Sequence, residues 1–67
     1  MTWTEYDTIM GRLEGKIETE KAYCANYLKN NPTDKQRKRD RDMIIEGIRR
    51  AMNAIDSAYR DKVINIQ

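Results

Sequence analysis

The sequence contains no histidine, a single cysteine, a single proline and three glycines among its 67 residues. Without histidine it lacks the commonest general base and metal ligand, and one cysteine forms neither a zinc-binding cluster nor an intramolecular disulfide. The glycines fall inside helical patterns rather than in a phosphate-binding loop that follows a strand. The acidic residues lie mainly on polar faces beside basic residues, where solvated or i,i+4 paired roles are usual. We therefore expect no catalytic, metal-binding or cofactor-binding site, and the chain is predicted not to be an enzyme.

Long apolar runs are also missing. None approaches the roughly 18–20 residues of a membrane span, and the first residues lack the basic and apolar segments of a secretory signal. Asn31-Pro32-Thr33 is no glycosylation acceptor, because proline occupies its middle position. These absences predict a cytoplasmic protein that does not contact membranes. The net charge of +2 comes from thirteen basic and eleven acidic residues, which indicates neither a DNA mimic nor a dedicated polycation.

Two long apolar repeats dominate what the sequence does contain. Steps of three and four place each set on one stripe of an α-helix, the pattern of a coiled coil or helical bundle. The first stripe is Trp3, Tyr6, Met10, Leu13, Ile17, Glu20, Cys24 and Tyr27, and the second is Ile45, Ile48, Met52, Ile55, Tyr59, Lys62 and Ile66. Cys24 is expected to be an inert core thiol. The predicted fold class is all-α, an antiparallel two-helix hairpin.

Capping signals mark the limits of the two helices. Helix 1 should end near Lys29 to Asn31, because asparagine tolerates the left-handed conformation and the residue before proline avoids the α region. We predict one domain, residues 1–67, with helix 1 at about 3–30, a turn at about 31–33 and helix 2 at about 34–64. The candidate capping boxes are Thr2 with Glu5, or Thr4 with Asp7, for helix 1, and Thr33 with Gln36 for helix 2.

A turn this short forces the helices to lie antiparallel, so residues whose numbers sum to about 64 should face each other. Tyr6 then faces Tyr59, and Leu13 faces Met52. Glu20 is the only acidic residue of the helix 1 stripe, and Arg41 is the nearest basic residue across the hairpin. We expect Glu20 to fix the register, paired with Arg41 or with a basic residue of another subunit, as buried polar groups do in coiled coils.

The apolar residues of helix 2 spread over a wider arc than one partner helix can cover. They are Ile44, Ile45, Ile48, Met52, Ile55, Tyr59 and Val63. A domain of this length also builds only a small core by itself, and it has no disulfide or metal to supplement that core. We therefore expect a homo-oligomer, most simply a dimer of hairpins that forms a four-helix bundle. The predicted oligomer interface is Trp3, Met10, Leu13, Ile17, Ile44, Ile48, Met52, Ile55 and Tyr59.

Small residues form two further stripes. Gly11 and Gly15 lie one turn apart on helix 1, and Gly47, Ala51, Ala54 and Ala58 follow each other at steps of four, three and four on helix 2. Glycine inside a helix costs about 1 kcal/mol relative to alanine, which favours a close approach between backbones somewhere in the structure. The alternative is that these glycines simply face solvent. For the alanines, close packing between helices is the better interpretation.

The start of helix 2 is strongly polar and forms the tip of the hairpin. Five basic residues within positions 35–41 alternate with aspartates, and no residue from 32 to 42 is apolar enough to anchor this segment by burial. Arginine and tyrosine are enriched at interface hot spots. Together with the aromatic residues across the hairpin, this tip is the predicted partner-binding surface: Tyr23, Tyr27, Leu28, Lys35, Arg37, Lys38, Arg39 and Arg41.

Three interpretations of the tip stay open. It binds a protein, for which mixed charge is well suited; it binds nucleic acid, which the basic cluster favours and the aspartates oppose; or it is a solvated helix end. In size and composition the chain resembles small phage and plasmid accessory proteins, which implies a regulator that binds one protein partner and changes its activity or DNA binding. The alternatives are direct nucleic-acid binding by a hairpin dimer and a purely structural assembly subunit.

Overall fold

The computed structural model describes the backbone of residues 1–66 and the side chains of residues 1–61. It contains two helices, α1 (Trp3–Asn30) and α2 (Lys35–Ile66), which pack against each other as an antiparallel hairpin. No strand occurs within residues 1–66, so the predicted all-α hairpin is confirmed. Lys62, Val63 and Ile66, which the sequence pattern assigns to the apolar side of helix 2, lie outside the residues whose side chains are described. Neither helix is long and apolar enough, within the described part, to cross a membrane.

The start of α1 is held by a capping box. The Glu5 backbone N–H donates to Thr2 Oγ1 at 3.1 Å, and the Thr2 N–H donates to Glu5 Oε1 at 3.2 Å. Two backbone donors that have no partner within the helix are thereby satisfied. This confirms Thr2, rather than Thr4, as the N-cap.

The end of α1 differs from the expected left-handed cap. Asn31 has φ −138° and ψ 61°, and no non-glycine residue of the described chain has a positive φ. The Asn31 backbone N–H and its side-chain Nδ2 both donate to the Tyr27 carbonyl, each at 3.1 Å. The expectation of a left-handed asparagine is therefore wrong. Pro32 disfavours the α region for Asn31, and the Asn31 side chain supplies the second donor to the Tyr27 carbonyl.

The N-cap of α2 is Asp34, and the expected cap by Thr33 is wrong. The Arg37 backbone N–H donates to Asp34 Oδ1 at 2.9 Å, which is the bond an N-cap side chain accepts from the third helical residue. A carboxylate at this position is favoured over a hydroxyl because the positive end of the helix dipole attracts its charge. Its second oxygen is also used, because Asp34 Oδ2 accepts a hydrogen bond from α1.

The core of the hairpin is small. Among the described side chains only Ile17, Cys24 and Ile45 are buried hydrophobic residues. Farther along the seam, the contact between the apolar stripes of α1 and α2, the side chains of Leu13, Met52 and Ile55 are half-buried. Each helix covers only one side of the other. The rings of Tyr6 and Tyr59 stack with centroids 4.4 Å apart, which confirms the register expected for this end. Two helices alone therefore leave much of the apolar surface in contact with water.

The glycines do not mediate the contact between α1 and α2. A Cβ atom added at Gly11, Gly15 or Gly47 would meet nothing within 4 Å. Within one hairpin these positions therefore face open space, and none of them is needed for a close approach of the two backbones.

Candidate functional site at the hairpin tip

The tip is closed by a hydrogen bond between the two helices. The Tyr27 hydroxyl, near the end of α1, donates to Asp34 Oδ2 at 2.6 Å, while Asp34 Oδ1 caps α2. The bond lowers the pKa of the Asp34 carboxyl, and the backbone N–H of Arg37 lowers it further. The same bond raises the pKa of the Tyr27 hydroxyl, helped by partial desolvation. One aspartate thus caps α2 and joins it to α1.

An ion pair joins the helices next to this bond. Arg37 Nη1 lies 2.8 Å from Glu20 Oε1, and the two side chains are 23% and 16% exposed. The contact is a close ion pair, and the Glu20 oxygen that makes it is shielded from water. The contact with Glu20 raises the pKa of the Arg37 guanidinium, which is therefore charged at any ordinary pH.

The expected pairing of Glu20 with Arg41 is wrong. Arg41 binds Asp42 instead, with its Nη2 3.0 Å from Asp42 Oδ1. Arg37 lies one helical turn closer to the connection between the helices than Arg41 does. Its long side chain reaches Glu20 across the half-buried contact between α1 and α2. The rule that the numbers of facing residues sum to about 64 places the two backbones correctly. It does not take into account how far an arginine side chain reaches along the helix.

An open groove of about 540 Å³ lies just below the tip, on the side of the hairpin away from the ion pair between Glu20 and Arg37. Its walls are Lys21 from α1 and, from α2, Arg41, Asp42, Ile45, Glu46 and Arg49. Steps of four, three and four place Lys38 in the same row as Asp42, Ile45 and Arg49, and Lys35 precedes Lys38 by three residues. We call this surface the charged groove, with Lys35 and Lys38 at its tip end. It combines one buried isoleucine with charges of both signs.

The structure divides the predicted partner-binding residues between two sides of the tip. Tyr23 shares a row with Glu20 and Tyr27, so it lies on the side of the ion pair, where it is 66% exposed. Leu28 follows Lys21 by seven residues and lies on the side of the charged groove. Lys35, Lys38 and Arg41 belong to the groove as well, and the exposed Arg39 precedes the groove residues Asp42 and Glu46 by three and seven residues and so lies in their row. The tyrosines and most of the cations therefore do not form one continuous surface.

Most cations around the groove have no acidic partner within residues 1–61. Lys35, Lys38, Arg39 and Arg49 form no ion pair there. The nearby carboxylates are used in other contacts, since Asp34 accepts a hydrogen bond from Tyr27 and Asp40 accepts one from Gln36. Charge at the tip is thus only partly neutralised internally.

Sequence reasoning missed most of the groove wall. Lys21, Asp42, Ile45, Glu46 and Arg49 were not among the predicted partner-binding residues. The signal that identifies them is helical spacing. Lys21, Asp42, Ile45 and Glu46 each lie three, four or seven residues from a predicted tip residue and so share a row with it, and Arg49 follows Asp42 by seven residues in the same row.

The predicted oligomer interface is exposed to different degrees in the single hairpin. Ile17 is buried between the helices, Met10, Leu13, Ile48, Met52, Ile55 and Tyr59 are half-buried, and Trp3 and Ile44 are exposed. Trp3 lies in an aromatic cluster at the open end, with its ring centroid 5.5 Å from Tyr6 and 6.2 Å from Tyr59. There the Tyr6 hydroxyl also donates to Asp56 Oδ1 at 2.5 Å, a bond that raises the pKa of Tyr6.

Comparison with models of protein families, with curated proteins and with solved structures finds no match to this chain.

Proposed function

We propose that this chain is a small cytoplasmic adaptor or regulator that self-associates, as a dimer of hairpins in a four-helix bundle, and binds one other protein through the charged groove. The observation that carries this proposal is the groove itself, in which charged side chains of both signs lie around the buried Ile45 between two helices. Its lining residue Arg49, and Lys35 and Lys38 towards the tip, form no ion pair within residues 1–61. Binding would change the activity of the partner or its DNA binding.

The chemistry of the groove favours an acidic segment of a protein. Lys35, Lys38 and Arg49 form no ion pair with any of the described side chains, so a partner carboxylate gains an ion pair there without breaking one of these. Asp42 and Glu46, whose side chains are largely exposed, can accept hydrogen bonds from the partner's basic or amide groups. Mixed charge of this kind selects a partner by complementarity rather than by net charge.

Direct binding of nucleic acid is the second candidate, and the unpaired cations support it. Each phosphate that a lysine or arginine neutralises releases counterions and contributes affinity. The carboxylates of Asp42 and Glu46 line the same groove and would repel a phosphate backbone. For this reason we rank a protein partner first.

The test compares two doubly charge-reversed variants with the same net charge. Lys38→Glu with Arg49→Glu alters the groove, whereas Arg12→Glu with Lys16→Glu alters exposed residues of α1 that line no part of it. A protein that is captured by the wild type is purified, and its binding is measured by titration calorimetry against all three forms. We expect the groove variant to bind at least tenfold more weakly and the α1 variant to bind normally.

A second arm measures binding to duplex DNA and duplex RNA by fluorescence anisotropy over a range of salt concentrations. Tight binding with a steep salt dependence that only the groove variant loses would replace the protein partner by nucleic acid. Equal effects of both variants on either ligand would show that the groove is not the binding surface. If no ligand is bound and the oligomer is intact, the chain is a structural assembly subunit instead.

A further inference from the structure

The hairpin exposes more surface than a compact protein of its mass. Its accessible area is 5347 Å² at 8.0 kDa, whereas a folded monomer of that mass exposes about 4,450 Å². The radius of gyration is 15.8 Å, against about 11 Å for a compact domain of this length. The difference in area is on the order of 900 Å², and a standard interface takes about 800 Å² from each partner. One hairpin therefore has the surface of one interface to spare.

One side of α2 presents an uncharged row of residues. Ile44, Gly47, Ala51, Ala54 and Ala58 follow each other at steps of three and four and form one row, which we call the α2 outer face. Ile44 is 46% exposed, and the neighbouring Met43 is 72% exposed. Nothing lies within 4 Å of a Cβ built on Gly47. From residue 43 to residue 58 this row has no charge, in contrast to the charged groove on the opposite flank.

We propose that the α2 outer face is covered by the α2 outer face of a second copy, with the two helices antiparallel about a two-fold axis near Ala51. This inference rests on the self-association proposed above and specifies its surface. A two-fold interface uses the same patch on both subunits, so the patch must complement itself. With Ala51 on the axis, the large Ile44 faces the small Ala58 of the second copy, and Gly47 lies near its Ala54. Small side chains then let the two helices approach closely.

The charges of the tip favour this antiparallel arrangement over a parallel one. A parallel pair would place two copies of the segment Lys35–Arg41 side by side, and five of its seven residues are basic. Like charges in contact oppose association. A parallel pair would also set Ile44 against Ile44 and leave a gap beside Gly47. The antiparallel pair moves the two tips to opposite ends and leaves both charged grooves free.

Disulfide crosslinking tests the arrangement directly. Native Cys24 is fully buried and should not compete. Under mild oxidation Ala51→Cys should form a covalent dimer, since residues on the axis come within disulfide reach. Asn53→Cys, which is exposed on another side of α2, should not. A mixture of differently tagged Ile44→Cys and Ala58→Cys chains should form the mixed dimer in preference to either homodimer.

A glycine pair provides the non-covalent test. Gly47→Leu and Gly15→Leu both add a side chain into open space within the hairpin, but only Gly47 lies on the α2 outer face. We expect Gly47→Leu to weaken dimerisation at least tenfold in analytical ultracentrifugation and Gly15→Leu to leave it unchanged, with both variants helical by circular dichroism.

Each other outcome overturns the inference in a distinguishable way. Homodimers of Ile44→Cys would show a parallel pair. A wild type that dimerises while Ala51→Cys fails to crosslink and Gly47→Leu has no effect would mean that another face mediates assembly, with the proposed self-association intact. A wild type that is monomeric up to millimolar concentration would remove both proposals.

Discussion

At the scale of single residues, Asp34 is the side chain whose hydrogen bonds hold the tip together. Its two carboxylate oxygens serve two different elements: one caps α2 through the Arg37 N–H, and the other accepts the Tyr27 hydroxyl of α1. The connection between the helices is therefore held by one side chain, which caps the start of α2 and is hydrogen-bonded to α1. A single substitution at this position affects both functions at once.

Replacing Tyr27 by phenylalanine separates these functions, because it removes the interhelical bond and leaves the cap. We expect Tyr27→Phe to lower the thermal midpoint by less than Asp34→Ala, which removes both, while Asp34→Asn keeps the cap and lies between them. The thermal midpoints of the three variants, measured by circular dichroism at neutral pH, give the order. An Asp34→Ala variant as stable as Tyr27→Phe would show that the cap contributes nothing.

The same bond predicts how stability depends on pH. The folded pKa of Asp34 is lowered from 3.8, so its contribution is present above that value and is lost as the pH falls through the folded pKa. The folded pKa of Tyr27 is raised from 10.0, so its contribution is complete below that value and is lost as the pH rises through the folded pKa. The difference in thermal midpoint between wild type and Tyr27→Phe should therefore be constant between about pH 5 and pH 9 and shrink at both extremes. A difference that does not shrink as the pH falls below 3.8 would contradict the role of the charged carboxylate.

Glu20 and Arg37 make a third residue-level prediction. Removing only Arg37 leaves a carboxylate with an oxygen shielded from water, whereas replacing Glu20 by leucine fills the seam with apolar surface. Arg37→Leu should lower the thermal midpoint, Glu20→Leu should raise it, and the double variant should be more stable than Arg37→Leu. A double-mutant cycle measures the coupling. If Glu20→Leu is less stable than wild type and still uniquely dimeric, the ion pair stabilises the fold and does not set its register.

At the scale of the elements, helix 1 carries glycines that its own hairpin does not require. Because a Cβ at Gly11 or Gly15 meets nothing within 4 Å, alanine at either site should only reduce the freedom of the unfolded chain and improve helix propensity. Each substitution should raise the free energy of unfolding by up to about 1 kcal/mol in urea titrations. A loss of stability at either site would reveal a close contact there in the assembled protein.

The elements also show how far the sequence alone reaches. The periodicity of the two stripes is enough to predict two antiparallel helices and the facing of Tyr6 and Tyr59, because both follow from backbone geometry. Thr33 and Asp34 are both good caps on adjacent positions, so local preference cannot decide between them. The division of the tip was missed for a related reason. Five cations within seven residues span almost two helical turns, and therefore point to several sides of α2 rather than to one surface.

At the scale of the whole molecule, the small core decides the behaviour of the chain. Three buried hydrophobic side chains among the described residues give a single hairpin little resistance to unfolding, and the remaining seam residues are covered on one side only. Assembly would add the missing coverage along α2 and leave the charged grooves open. Stability and assembly should then be one coupled property rather than two independent ones.

The final prediction follows from this coupling. For a chain that folds as it associates, dilution favours the unfolded state, so the thermal midpoint should rise with protein concentration across the micromolar range.

Ile48→Asp and Ile55→Asp introduce a charge into the half-buried seam, at a cost of several kcal/mol that is comparable to the whole stability of a small domain. Both variants should therefore lose helicity and association together. The matched control is Ser57→Asp, on an exposed position of α2, which should keep both. Light scattering and circular dichroism on the same samples decide the matter: a wild-type midpoint independent of concentration, together with a folded monomer, would show that the hairpin is stable by itself.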